Sequence, residues 1–326
     1  MSSSLRILSQ NMKLGGQRGQ TYVLLDPLVQ RKGKRCNVWS AAMENDETDQ
    51  YVIKQPDEDD GPDWPNFTKE MQMQELFRNS KFIRRMVDVI PRLSDSDPPT
   101  MVLEPFGKSL WDARMRRPFS SGEIRSVMKA VLLGLGTIHT QKLVYTDLKM
   151  ENILVSGFDN EMPGSGKGLV TKIADLDMIE QPSQGRISSI TYRSPEVYFG
   201  KPWTAATDIW SWGIMYCHLL EAQVDFGKPG MFDSIVKGTL TEKSNAVRAA
   251  IAQEFDLHSF DYYTSDPSSR KLLPPKDETK QELDHWAVRL YRKGIPEMDI
   301  ELVHEALRPV PDERPTAIQL LNAGYL

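Results

Sequence analysis

Near Glu104–Lys108 the chain changes from short strand-type runs to helical stripes, and this division constrains its fold more than any other feature. Before that point Thr21–Leu25, Asn37–Met43 and Gln50–Gln55 (QYVIKQ) carry strand-type residues. Met86–Leu93 and Thr100–Glu104 do the same, joined by the turn-forming stretch Ser94–Pro99. One helix is expected among these strands, from Phe67 to about Asn79, with Asn66 as its cap. The acidic, proline-containing segment before it, Asp57–Pro65, reads as a solvated connection.

After the division, Ser120 and Glu123 form a capping box for a helix whose Val127, Val131, Leu132, Leu135 and Ile138 recur at helical spacing. Ala206–Glu221 is more apolar and reads as a buried helix. Helices near Ile300–Leu307 and Thr316–Asn322 bracket a turn at Pro309–Pro315. The expected class is therefore α+β. A β-rich first lobe with one main helix spans residues 21–104, a connection 104–108, and a larger, mainly helical lobe 109–326. Residues 1–20 read as an N-terminal extension.

With 326 residues, 40% of them hydrophobic, the chain can bury a sizeable core. A net charge of -5 gives no electrostatic case for nucleic acid or an anionic membrane as partner. Cys36 and Cys217, the only cysteines, form no disulfide framework or metal cluster and suit a reducing compartment. Met1–Gln20 lacks the apolar core of a signal peptide. Ile209–Leu220, the most apolar stretch, carries His218 and is too short to span a bilayer. A soluble intracellular protein, in cytoplasm or nucleus, is expected.

The segment Leu143–Leu154 reads LVYTDLKMENIL: an Asp, a Lys two residues on, an Asn five residues on, then an apolar strand. Such a loop brings a carboxylate, a cation and an amide close together. Asp147 can accept the proton of an incoming hydroxyl, Lys149 can neutralise the moving group, and Asn152 can hold a metal ion. On its own the segment is open to a blander reading as a polar loop. Downstream follow KIADLDMIE (Lys172–Glu180), YRSPE (Tyr192–Glu196), DIWSWG (Asp208–Gly213) and PDERP (Pro311–Pro315).

These five segments, in this order, resemble the motifs of the eukaryotic protein kinase superfamily, and the resemblance covers roughly Tyr22–Leu326. It implies the bilobal kinase fold and transfer of the ATP γ-phosphate to a protein hydroxyl. Asp147 and Lys149 would be catalytic, with Asn152 and Asp175 holding Mg²⁺ (Mn²⁺ as an alternative ion). Lys54 in YVIK would contact the α and β phosphates, braced by Glu70, with Glu75 the alternative partner. Leu103 would guard the back of the adenine pocket, and Glu104 and Phe106 would offer backbone groups to the base. Gly33 and Val38 would belong to the phosphate-covering loop. Arg314 would pair with Glu196, and His139 reads as a packed structural histidine.

Lys149 is typical of Ser/Thr rather than tyrosine kinases. Arg193 and the run GKPWTAATDIWSWG look most like the group containing cyclin-dependent, MAP and SR-protein kinases. In that group Ser189 would face the substrate and contact Asp147 and Lys149, and the stretch between Glu221 and Ile300 fits the group's insert. The partners implied are a protein substrate and, as a further option, a regulatory protein.

Three departures stand out. The glycine-rich loop is degenerate: in the segment Arg31-Lys32-Gly33-Lys34-Arg35-Cys36-Asn37-Val38 only Gly33 coincides with a family glycine. Glycines there let backbone N–H groups approach phosphates closely; four cations either replace some of those contacts or form a solvated basic turn. The Asp-Phe-Gly motif is Asp175-Leu176-Asp177, where Leu can fill the Phe role but Asp177 places a charge where glycine is expected. The His-Arg before the catalytic Asp is Tyr145-Thr146, so a phosphorylated activation segment loses its usual cationic partner. Activity is therefore expected without phosphorylation of Ser188, Ser189 or Thr191. The competing readings are a catalytically silent scaffold that binds nucleotide or protein, and a small-molecule kinase.

Overall fold

The computed structural model describes residues 7–29, 35–275, 285–324 and Leu326, which fall into two units. One runs up to Phe106 and takes in Ala174–Met178; the other comprises Gly107–Ile173 and Ile179–Leu326.

The first unit is built on a six-stranded antiparallel sheet in the order β1-β2-β3-β4-β6-β5. Its strands are β1 (Lys13–Gly15), β2 (Thr21–Pro27), β3 (Val38–Met43), β4 (Asp46–Lys54), β5 (Met86–Ile90) and β6 (Thr100–Leu103). The period of two along β4 and β6 sorts their side chains between two cores. Ile53 and Val102 join Leu8, Leu14, Leu24, Trp39 and Ile90 on one face. Val52, Met101 and Leu103 join Phe67 of α1 (Pro65–Leu76) on the other. Val38 pairs with Lys54, and Lys54 with Met101, so all three project from this second face.

Two expectations are corrected here. The sheet begins with β1, inside the stretch read as an extension, because Leu8 and Leu14 are buried and the Lys13–Gly15 backbone pairs with Thr21–Val23. Gly16 permits this edge: a Cβ there would lie 2.1 Å from Asp88 Oδ2, and Asp88 accepts from the Tyr22 hydroxyl at 3.1 Å. Nor does Asn66 cap α1. Asp60 does so from the preceding loop, accepting from the N–H groups of Asn66 (3.0 Å) and Phe67 (2.9 Å). The acidic loop is thus a working part of the helix start, since orphan N–H groups and the helix dipole both favour a carboxylate there.

The second unit opens with β7 (Lys108–Ser109) and the short α2 (Leu110–Arg114). Then comes α3 (Ser121–His139), whose Ser120/Glu123 capping box is present as expected. β7 pairs with β8 (Ile153–Ser156), which pairs with β9 (Val170–Ile173). A two-residue ladder, β10 (Ser183–Gln184) with β11 (Pro202–Trp203), flanks α4 (Pro195–Tyr198). The central α5 (Ala206–Val224) is almost wholly buried. Its Gly213 lets the end of the helix α10 (Glu297–Ala306) approach: a Cβ there would sit 2.7 Å from Leu307 Cδ2 and 3.0 Å from Ala306 Cβ. The remaining helices are α6 (Leu240–Glu254), α7 (Asp261–Thr264), α8 (Pro267–Arg270), α9 (Trp286–Arg292), α10 (Glu297–Ala306) and α11 (Ala317–Asn322). No helix among the described residues is long and apolar enough to cross a membrane.

Candidate active site

In the first unit the last residue of β4 carries the ammonium of Lys54, whose Nζ lies 2.8 Å from both carboxylate oxygens of Glu70 on α1. The same nitrogen lies 2.8 Å from Asp175 Oδ1. Glu75, the alternative partner, is instead exposed and paired with Arg78. The two-point contact is the geometry of an ionised pair. Burial pushes the Glu70 carboxyl up to about 7, and Asp175 and Asp177 add to the rise while Lys54 opposes it. Burial also works against the Lys54 charge, yet Glu70 and Asp175 together hold its ammonium above the ordinary lysine value.

Asp175 adopts a left-handed backbone (φ 56°), which turns its half-exposed carboxylate onto Lys54. Leu176 beside it is completely buried, as expected of a residue in the Phe role. Glu104 is held on three atoms: its N–H donates to Arg85 O (3.0 Å), its Oε1 accepts from the Arg85 N–H (2.7 Å), and its carbonyl accepts from Arg84 Nε (2.9 Å). Arg84 escaped the sequence reading. The available signal was slight: Arg84 stands two residues before Met86, which packs with Leu103, and a register shift between Met86 and Asp88 hides that phase from the alternation along the strand. Val38 starts β3 and packs against the core that contains Leu103. Phe106 ends the unit. Gly33 lies outside the described residues, as do Arg31, Lys32 and Lys34, whereas Arg35 pairs with Glu58 at 3.1 Å.

In the second unit the loop that carries Asp147 is suspended from α5. Asp208 Oδ2 accepts from the Tyr145 N–H (2.8 Å) and contacts His139 Nε2 (2.9 Å), while Oδ1 accepts from the Thr146 N–H (2.9 Å). His139 is therefore a structural histidine, as expected. Thr146 sits at φ 68°, a conformation that a β-branched residue avoids. This anchorage presents Asp147, whose Oδ2 receives Lys149 Nζ at 2.5 Å and Asn152 Nδ2 at 3.1 Å. Ser189 Oγ donates to Asp147 Oδ1 at 3.0 Å. Asn152 Nδ2 also donates to Asp147 O at 3.0 Å, which commits the amide nitrogen and leaves the side-chain oxygen as the atom that could hold a hard cation.

The segment before α4 is held from inside the unit. Arg193, 7% exposed, donates to Ile187 O (2.8 Å), Ser188 O (2.7 Å) and Ser244 Oγ (3.2 Å). Ser188 Oγ also donates to Thr146 O. Arg314 forms the two-point pair expected with Glu196, at 2.8 and 2.7 Å, and both side chains are wholly buried. Arg314 additionally donates to the carbonyls of Ala206, Arg308 and Pro309.

These features agree with comparison to known proteins. The protein kinase domain matches residues 32–326. Cell division control protein 2 homolog 2 of Trypanosoma brucei brucei is 26% identical over 217 residues, 64% of this chain and 54% of that protein. The meiosis induction protein kinase IME2/SME1 of Saccharomyces cerevisiae is 30% identical over 65% of this chain and 35% of its own length. Cyclin-dependent kinase G1 of Arabidopsis thaliana is 24% identical over 65% of this chain and 33% of its own length. The matches thus span about half or less of each relative. The yeast RNA polymerase II CTD kinase CTDK-1 complex contains a chain of like fold, with a TM-score of 0.69 at 17% identity, covering 98% of this chain and 94% of that one. The chain belongs to the protein kinase domain family.

Proposed function

We propose that the chain transfers the γ-phosphate of ATP to serine or threonine hydroxyls of a protein substrate. The observation that carries this reading is the hydrogen bond from Ser189 Oγ to Asp147 Oδ1, an aliphatic hydroxyl already bound at the carboxylate that would receive the substrate's. Asp147 orients the incoming hydroxyl and takes its proton, and Lys149 meets the charge on the transferring group. Lys54, braced by Glu70, binds the α and β phosphates. Asp175 and Asn152 offer the hard oxygen donors that suit Mg²⁺, an ion that takes one or two protein ligands and completes its shell with phosphate and water oxygens. When bound, Mg²⁺ supplies charge neutralisation on the phosphates. The names of the cyclin-dependent relatives support a regulatory protein partner as well.

The test is transfer from Mg-ATP at millimolar concentration to a Ser/Thr peptide library, with Asp147→Asn in parallel. Wild-type transfer and a loss of at least about 10²-fold in the variant are expected. No transfer by the wild type with either Mg²⁺ or Mn²⁺ refutes the proposal.

A further inference from the structure

Arg84 is an anomaly for its place in the fold. It lies two residues before β5, and its Nε donates to the backbone carbonyl of Glu104 at 2.9 Å. Backbone and side-chain bonds between Arg85 and Glu104, at 3.0 and 2.7 Å, fix that carbonyl against the guanidinium. The two terminal nitrogens of Arg84 have no acceptor among the described residues. Burial pulls the guanidinium down to about 10, with Glu104, Glu70 and Asp175 supporting its charge, so it is a cation at neutral pH. A guanidinium has five N–H donors and accepts nothing.

We propose that Arg84 sets the base preference of the nucleotide site, turning it from 6-aminopurine nucleotides such as ATP toward 6-oxopurine nucleotides such as ITP and GTP. The proposal rests on the reading that Glu104 and Phe106 present backbone groups to the base. Adenine carries an amino donor at C6, whereas hypoxanthine and guanine carry an oxygen acceptor there. The carbonyl expected to accept the amino group already gives one of its two lone pairs to the Arg84 guanidinium, so the amino group meets a weakened acceptor within the field of that cation. An oxygen at C6 meets the opposite situation. It is attracted by the same field, and its two lone pairs can take both a terminal Arg84 N–H and a backbone N–H. Hydrogen bonds to charged groups are about twice as strong as neutral ones. The resulting discrimination is on the order of tenfold to a hundredfold in affinity.

The experiment is equilibrium binding of Mg-ATP, Mg-ITP and the Mg-triphosphate of purine riboside, which has no C6 substituent, to the whole chain and to Arg84→Met. ITP is expected to bind the unaltered chain at least about tenfold more tightly than ATP, with the purine riboside nucleotide no weaker than ATP. In Arg84→Met the ITP/ATP order reverses. Should that variant fail to fold, the order of the three nucleotides on the unaltered chain decides alone. ATP binding more tightly than ITP to the unaltered chain, or an ITP/ATP ratio unmoved by the substitution, overturns the proposal. Binding of all three without a base order refutes this inference and leaves the nucleotide reading standing; binding of none refutes both.

Discussion

Asp208→Asn tests whether the catalytic loop hangs from α5 as the geometry indicates. The wild-type carboxylate receives Tyr145 N–H at 2.8 Å and Thr146 N–H at 2.9 Å on different oxygens, in a site where Asp208 is 1% exposed. Asparagine offers one oxygen in place of two. Turned to keep Tyr145 and His139, it points its NH₂ at the Thr146 N–H, leaving two buried donors facing each other. One lost charge-assisted bond and the unpaired donors together cost about 2–4 kcal/mol. In a chain of this size that lowers the melting temperature by on the order of 3–6 °C. Phosphoryl transfer should fall more steeply, because Asp147 follows Thr146 directly and a displacement of about 1 Å can cost 10²-fold. Thr146→Gly separates anchorage from strain. At φ 68° glycine relieves about 1–2 kcal/mol in the wild-type background and less once Asp208→Asn has let the loop relax. Thermal denaturation and peptide phosphorylation of the four proteins in the cycle give the coupling directly. An Asp208→Asn protein that melts within about 1 °C of wild type, or strictly additive effects in the cycle, would refute the suspension argument.

Lys54→Met leaves Glu70, 2% exposed, without the ammonium that meets both its oxygens, and should cost about 3–5 kcal/mol in urea unfolding. Adding Glu70→Gln should recover part of that loss, and no recovery would argue against an ionised pair. Arg193→Lys has one cationic head for the three acceptors Ile187 O, Ser188 O and Ser244 Oγ, so amide hydrogen exchange of residues 187–192 should accelerate; unchanged protection would remove Arg193 as the internal anchor of that segment. The Lys201 ammonium beside Asp266, with the N–H groups and hydroxyl of the serines that follow it, holds this carboxyl down to about 2 from its ordinary 3.8. A depressed carboxyl contributes stability above its unfolded value and loses it as pH falls through the folded one. The gap in urea midpoint between wild type and Asp266→Asn should therefore be constant above about pH 5 and narrow below about pH 4; a gap that widens on acidification contradicts the assignment.

The strands were legible because burial on both faces leaves a pattern in the residues themselves, as in Val52-Ile53 and Met101-Val102-Leu103. The cluster of Asp147, Lys149 and Asn152 was legible because the three lie within six residues and meet through local geometry. Features that depend on distant backbone were not. The start of α1 is set by Asp60, six residues before Asn66, and the helix buries Phe67, Glu70 and Gln74, so no apolar stripe marks it. β1 is three residues long and owes its place to Leu14 and to Gly16 against Asp88. The role of Arg84 is written in a carbonyl twenty positions away. Arg193 was visible as a group marker, but its three acceptors were not, since two are carbonyls with no sequence signature.

The three rungs of β1 also set what this end of the sheet can offer to another chain. Beneath them lies β2, seven residues whose outward N–H and C=O groups would otherwise template a foreign strand. As it stands this end of the sheet is a very short edge carrying Lys13, itself engaged with Glu44, and a passing extended segment finds little there to add to. A chain started at Thr21 would uncover that longer ladder and strip Leu8 and Leu14 from the core in one stroke. Its self-association would come from an opened sheet margin, with Lys54, Glu70, Asp147 and Asp175 all still in the chain.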